Sequence, residues 1–274
     1  MNKVLVFVHG AGKIMSNYAD EPLAQIALLL GAEPPSYPVY YGDLYNIGSA
    51  VSATAESGKS APPDESPEVT QFKTAFMMQV QADASAPAVN DKTLSIEAVP
   101  PSGAMISTQS FNPQYLAQLL ATEVNQIAHY LYDKDSYAKI QARMTDGLEK
   151  AAQLGDTLVV ASHSLGTAVA FDALRAAGSQ HHVSTLFTLG SPLAKLRRLG
   201  LRGAALGGIT RQNVQEWQNW YDTSDPVSDG IGPTFPLSGY RIRDVFVDNG
   251  PALPESHDYF GNPEVLAALA AAMR

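Results

Sequence analysis

The sequence predicts an α/β protein: an open, mostly parallel β-sheet with helices on both faces. Short apolar runs such as Val4-Leu5-Val6-Phe7-Val8 and Thr157-Leu158-Val159-Val160-Ala161 lack polar alternation, as strands covered on both faces do. Between such runs lie helical periodicities with their own start and stop signals, the βαβ rhythm of a parallel sheet. Apolar residues make up 45% of the 274, enough for one sizeable core, so a single domain spanning 1–274 is expected.

The elements follow in order. After the strand at Val4 to Val8 comes turn chemistry in His9-Gly10-Ala11-Gly12. Asp20 is expected to cap a helix with Pro22 in its first turn, with Leu23, Ile26 and Leu30 on its apolar face and Gly31 as its stop. Val39-Tyr40-Tyr41 reads as the next strand, started by Pro38. Asn112-Pro113 opens a long helix with Leu116, Leu119, Leu120, Val124, Ile127 and Leu131 on one face, and Ser136 is expected to cap another reaching Leu154-Gly155. The α/β rhythm then resumes: a strand from Thr157, a helix from Leu165 to Ala177, a strand from Val183 to Leu189, strands around Trp217 to Tyr221 and Tyr240 to Val247, and a terminal helix capped by Asn262-Pro263.

From about 49 to 110 the composition shifts to Ala, Ser, Pro and Thr, yet the segment holds a helical stripe of Val69, Phe72, Phe76 and Val80 with Met77 beside it, after Ser66-Pro67. Apolar residues at that spacing need a surface to cover, so 49–110 is expected to be an inserted cap or lid with a mobile run around 52 to 66. An insertion leaving the sheet after Tyr41 would lie near the C-terminal edge of the strands, where Phe76 and Met77 would line part of a substrate pocket.

Composition excludes several functions. With 27 acidic against 18 basic residues the net charge is −9, which disfavours a nucleic-acid partner. The absence of cysteine removes disulfides, thiolate metal sites and cysteine nucleophiles. No apolar run reaches the ~20 residues of a membrane span, and the run after Met1-Asn2-Lys3 is too short for a signal-peptide core, so a cytoplasmic protein is expected. No His or carboxylate pair shows metal-ligand spacing on one helix. Lys195, Arg197, Arg198 and Arg202 form a local basic cluster, expected to be a solvated helix face.

The chemistry concentrates in Val160-Ala161-Ser162-His163-Ser164-Leu165-Gly166-Thr167, a buried strand that turns into a helix with no room for a loop. Ser164 stands at the apex. Such a turn strains the apical residue and needs small neighbours two positions away on each side, here Ser162 and Gly166. It lifts the hydroxyl above the sheet and sets the Leu165 N–H at a helix N-terminus, where a developing oxyanion is stabilised.

Ser162-His163-Ser164-Leu165-Gly166 resembles the nucleophile elbow of the α/β-hydrolase family in its lipase and esterase branch, with Ser162 in place of the usual first glycine. Phe7-Val8-His9-Gly10-Ala11-Gly12 resembles the family's His-Gly turn, which implies a second oxyanion donor at Ala11 or Gly12 and an ordering role for His9. A dinucleotide reading of Gly10-x-Gly12 fails because the third glycine would fall on Met15.

An activated serine needs an imidazole, and the imidazole needs a carboxylate. The family order of Ser, acid, His implies Ser164 as nucleophile, His257 as base, and Asp225 of Asp225-Pro226-Val227 as acid in preference to Asp222. His181 and His182 precede a strand and fall at the opposite end of the sheet.

The resemblance thus implies a cofactor-free serine hydrolase acting on a small-molecule ester or lipid through an acyl-enzyme, with an acid limb of activity near pH ~6 to 7 set by the histidine. The same triad serves thioesters and amides. A non-catalytic binding protein on the same fold is the alternative from another class.

Overall fold

The strand that begins the sequence lies inside the sheet, between the second strand and the third. The computed structural model describes residues 2–12, 14–45, 65–85, 113–200, 209–234, 242–251 and 253–274. In it β1 (Lys3–Val8), β2 (Ser36–Val39), β3 (Thr157–His163), β4 (Val183–Leu189), β5 (Val214–Tyr221) and β6 (Arg243–Phe246) form one open sheet in the order β2-β1-β3-β4-β5-β6. Every pairing is parallel, so the sheet is all-parallel where mostly parallel was expected. Described residues include seven α-helices: α1 (Asp20–Leu30), α2 (Pro67–Ser85), α3 (Pro113–Tyr132), α4 (Lys134–Leu154), α5 (Leu165–Ala177), α6 (Leu193–Arg198) and α7 (Pro263–Met273).

Period-two alternation survives inside the fully apolar strands. Val4, Val6 and Val8 share a core with Met144 and Leu148 of α4 and Val169 of α5, while Leu5 and Phe7 share another with Ile26 of α1 and Leu269 of α7. Both faces of β1 are thereby covered, which is why the run needed no polar positions. Each such side chain contributes about 1.5–3 kcal/mol by leaving water.

Four boundaries differ from expectation: the strand expected around Tyr240 to Val247 is β6 at Arg243–Phe246, with 240 and 241 outside the described residues, and three more lie earlier in the chain. β2 is Ser36–Val39, so Pro38 lies inside it; as an edge strand it spares the N–H that proline lacks, and Tyr40 and Tyr41 fall beyond its end. α4 is capped by Asp133, whose Oδ1 accepts from Asp135 N and Ser136 N, and not by Ser136. Asp20 is the first residue of α1, after Ala19, while Gly31 ends the helix at φ 77° as expected.

Of the insertion expected at 49–110, residues 49–64 and 86–110 lie outside the described residues, including nearly all of the run at 52 to 66. α2 packs on α3 and α6. Its Phe72, Phe76 and Val80 are buried in one core with Val124, Ile127 and Ala128 of α3, and Met77 is packed against that core.

The basic cluster is a correction. Lys195 is fully buried, paired with Asp83 at 2.9 Å and Asp229 at 2.6 Å, and Arg198 joins the same two carboxylates. These cations clasp α2 and the 225–232 loop to α6, and charge counting in sequence could not see partners so far away. Arg202 lies outside the described residues. Among the described residues no helix is long and apolar enough to cross a membrane.

Candidate active site

Strand order reverses direction at β1: the chain goes outward to β2 and returns to place β3 on the other side. The crevice at the C-terminal ends of β1 and β3 is the place where an open parallel sheet binds ligands. Ser164 and the His9-Gly10 turn occupy that crevice.

Ser164 is the single residue between β3 and α5, with φ 50° and ψ −127°, and it is the only described non-glycine residue with positive φ. That conformation costs of order 1–3 kcal/mol. Its surroundings hold it there. Ser164 N–H donates to the Leu189 carbonyl at 2.9 Å, and its own carbonyl accepts from Thr167 N–H at 2.9 Å and Thr167 Oγ1 at 2.7 Å. Ser162, the small residue two positions before Ser164, is fully buried and donates its hydroxyl to the Phe187 carbonyl of β4 at 2.8 Å. Gly166 has no such freedom: a Cβ there would lie 2.3 Å from the His9 carbonyl, so the start of α5 abuts the end of β1. A Cβ on Gly10 would lie 2.6 Å from Ser164 Cβ.

His9 orders this turn. Its Nε2 accepts the Tyr41 N–H at 3.1 Å, so the proton sits on Nδ1 and is donated to the Gly10 carbonyl at 2.8 Å. Burial pushes its pKa down to about 4, and the ring stacks on Tyr41, whose hydroxyl donates to the His9 carbonyl. Beyond it, Gly12 N–H is already committed, donating to Gln126 Oε1 of α3 at 2.7 Å. Leu165 N–H opens α5 and is one of the donors that every helix start leaves without an intrahelical acceptor.

The acid and the imidazole come together from two loops after β5 and β6. Asp225 Oδ1 accepts Val227 N–H at 2.9 Å, and Oδ2 faces His257 Nδ1 at 2.7 Å. Asp222 caps the turn, accepting from Ser224 N at 2.6 Å and Asn249 N at 2.7 Å, and burial pushes its pKa up to about 6. His163 Nε2 lies 2.9 Å from the His257 carbonyl and ties the elbow to the histidine loop. Burial opposes a charged His257, but attraction to Asp225 and to Glu123 outweighs it and raises the pKa to about 9. Burial likewise opposes the Asp225 carboxylate, and His257 with the hydrogen bonds around it brings its pKa below the usual value.

Comparison with protein-family models, with curated proteins and with solved structures found no match. Chemistry at this site therefore rests on its own residues. Ser164 Oγ and His257 Nε2 are both buried and neither has a hydrogen-bond partner, so no bond joins them in this structure. Phe76 and Met77 sit one layer out, on α2, while α3 carries side chains to the site itself. Among the described residues no group of three His or carboxylate side chains could hold a metal ion.

Three residues were missed in the sequence. Tyr259, two positions after His257, donates its hydroxyl to Asp225 Oδ2 at 3.0 Å. Gln126 pins the His-Gly turn through Gly12. Glu123 Oε1 lies 3.5 Å from His257 Nε2. Glu123 did carry a signal: it stands four residues after Leu119 and four before Ile127, an acid inside the apolar stripe of α3.

Proposed function

We propose that the protein is a serine hydrolase of the α/β-hydrolase kind, lipase or esterase-like, that cleaves carboxylic esters through an acyl-enzyme. The observation that carries this reading is Ser164: a strained residue at a strand-to-helix turn, its hydroxyl buried without a partner, in the crevice where an Asp225–His257 pair also arrives.

In this reading Ser164 Oγ attacks the ester carbonyl as His257 Nε2 takes its proton, and Asp225 holds Nδ1–H and stabilises the imidazolium. Leu165 N–H and Ala11 N–H receive the oxyanion; Ala11 is favoured over Gly12 because the Gly12 N–H already serves Gln126. Collapse of the tetrahedral intermediate passes the His257 proton to the leaving alcohol. Water then enters, loses a proton to His257, attacks the acyl carbon, and Ser164 recovers its proton as the acid departs. No step calls for a cofactor. The α2–α3 region acts as the cap, with α3 over the site and Phe76 and Met77 shaping the acyl pocket through it.

A fluorophosphonate probe tests the reading. Wild type should label covalently on Ser164 and the folded Ser164→Ala variant should not. A folded wild-type protein that fails to label and hydrolyses no ester would instead favour a binding protein on this fold.

A further inference from the structure

Glu123 is a buried carboxylate for which the acyl-transfer steps have no use. It is 6% exposed, its Oε2 has no hydrogen-bond partner, and its Oε1 faces the nitrogen of His257 that must exchange protons. Glu123 Oε2, His257 Nε2 and Ser164 Oγ are therefore three buried polar groups of this site without a hydrogen-bond partner, with Glu123 Oε1 within ion-pair distance of His257 Nε2. Native interiors leave only a few such groups, and each costs about 1–3 kcal/mol, more when charged. Such a convergence is what a ligand satisfies.

α3 does not present Glu123 loosely. Val124 and Ile127 are buried beside it, and one turn on Tyr130 donates to Asp172 Oδ2 at 2.7 Å and accepts from Gln141 Nε2 at 2.7 Å. Gln126 grips Gly12 on both its N–H, at 2.7 Å, and its carbonyl, at 3.4 Å. The helix is thus fixed at the core and at the His-Gly turn, and Glu123 is a built part of the site.

Position and charge then identify the ligand group. In ester cleavage the imidazolium hands its proton from Nε2 to the leaving alcohol, so that alcohol's oxygen lies at Nε2 and its next atoms lie beside Glu123. The groups facing His257 are Asp225, Glu123, Asp258 and His163, and burial holds His163 neutral, with its pKa near 3. Those that bear on Glu123 are His257 and Asp225, and neither is a permanent cation. Burial holds the Glu123 carboxyl above the usual carboxylate range, and once His257 is neutral, as a base must be, no cation among these groups remains to draw its proton off.

We infer that Glu123 forms a subsite for a cationic group, a primary ammonium, carried on the alcohol side of the substrate ester. This rests on the hydrolase reading for the orientation of the alcohol and on Glu123 alone for the cation. An ammonium there donates to the unpaired Oε2 and draws the carboxyl into its charged form, whereas a neutral hydroxyl supplies no charge to do so. It also removes the pull that keeps a proton on His257, so recognition of the substrate frees the base.

The test compares two esters of one acyl group, the 3-aminopropyl ester and its near-isostere the butyl ester, at a pH where the amine is charged. Wild type should favour the aminopropyl ester in kcat/KM by about tenfold or more. Glu123→Gln should lose most of that ratio and Glu123→Asp should keep part of it, with melting curves confirming that both fold. An equal ratio in wild type and Glu123→Gln overturns the inference, as does a Glu123→Gln variant that hydrolyses both esters faster by the same factor, which would make Glu123 a cover over the base. Calorimetry of 3-aminopropanol against butanol on the Ser164→Ala variant reads the subsite without catalysis. Amine-selective binding in a protein that never labels with fluorophosphonate keeps the subsite and removes the hydrolase; labelling without amine selectivity does the reverse.

Discussion

The hydroxyl of Tyr259 donates to Asp225 Oδ2 at 3.0 Å, on the same oxygen that faces His257 Nδ1. The acid is therefore held from two sides of one atom, and Tyr259 also accepts the Asp222 N–H at 2.8 Å, so a fully buried phenol ties both acidic loop residues together. Tyr259→Phe should lower stability by about 1–2 kcal/mol, measured by denaturant unfolding, and reduce kcat about tenfold as Asp225 loses its alignment.

The two carboxylates of the β5 loop should separate cleanly. Asp225→Asn should cut kcat by orders of magnitude, and it should also lower the melting temperature, because the buried pair with His257 is lost. Asp222→Asn should act mainly on stability, since its oxygens serve the Ser224 and Asn249 N–H groups. The reverse pattern would move the acid to Asp222.

Strain at Ser164 makes the choice of replacement informative. Ser164→Ala keeps a Cβ at φ 50° and retains the strain, whereas Ser164→Gly relieves it at a cost of ~0.5–1 kcal/mol in chain entropy. The glycine variant should be about 1 kcal/mol more stable than the alanine variant by denaturant unfolding, and neither should label.

Activity and stability should pull apart with pH. His257 must be neutral to act as base, so kcat/KM should climb with pH toward about 9, above the ~6 to 7 of an ordinary histidine, and Glu123→Gln should move that limb down. The same group binds its proton more tightly in the folded chain than an ordinary histidine does at 6.5, so its contribution to stability is complete below that pH and is lost as pH rises through about 9. Kinetics and chemical denaturation over this range check both signs.

Phe76 is wholly buried between α2 and α3. Phe76→Ala should cost about 3–5 kcal/mol of stability. Met77→Ala, at a half-covered position, should cost less. If the cap shapes the acyl pocket through α3, both should shift the preferred acyl chain length in a series of p-nitrophenyl esters; a large fall in melting temperature with an unchanged profile would make the stripe ordinary core.

What the sequence made legible is what local chemistry dictates. The runs at Val4 to Val8 and Thr157 to Ala161, the Gly31 stop and the Asn262 cap all depend on neighbours within a few residues, and all stand where they were read. Ser164 at the apex was legible for the same reason: a strand directly followed by a helix leaves one residue to make the turn. Lys195 was misread because its carboxylates are supplied by Asp83 and Asp229, residues 112 and 34 positions away. Glu123 and Gln126 were missed because a polar residue on a helix face gains meaning only from what the helix is laid against. Tyr259 was in view, but nothing in its spacing announces that a hydroxyl will reach back to Asp225.

The interior position of β1 has a cost in time. Its six residues pair with β3 from Lys3↔Thr157 to Val8↔Ser162, so the contact closes a loop of about 150 residues. On the ribosome, at ~5–20 residues per second, the first strand waits on the order of ten seconds or more for its inner neighbour to be made. Until then one edge of β1 is open and both its faces are apolar, while only the short β2 stands ready on the other side. The nascent chain is therefore most vulnerable to aggregation in that interval, before β3 emerges and the elbow can form.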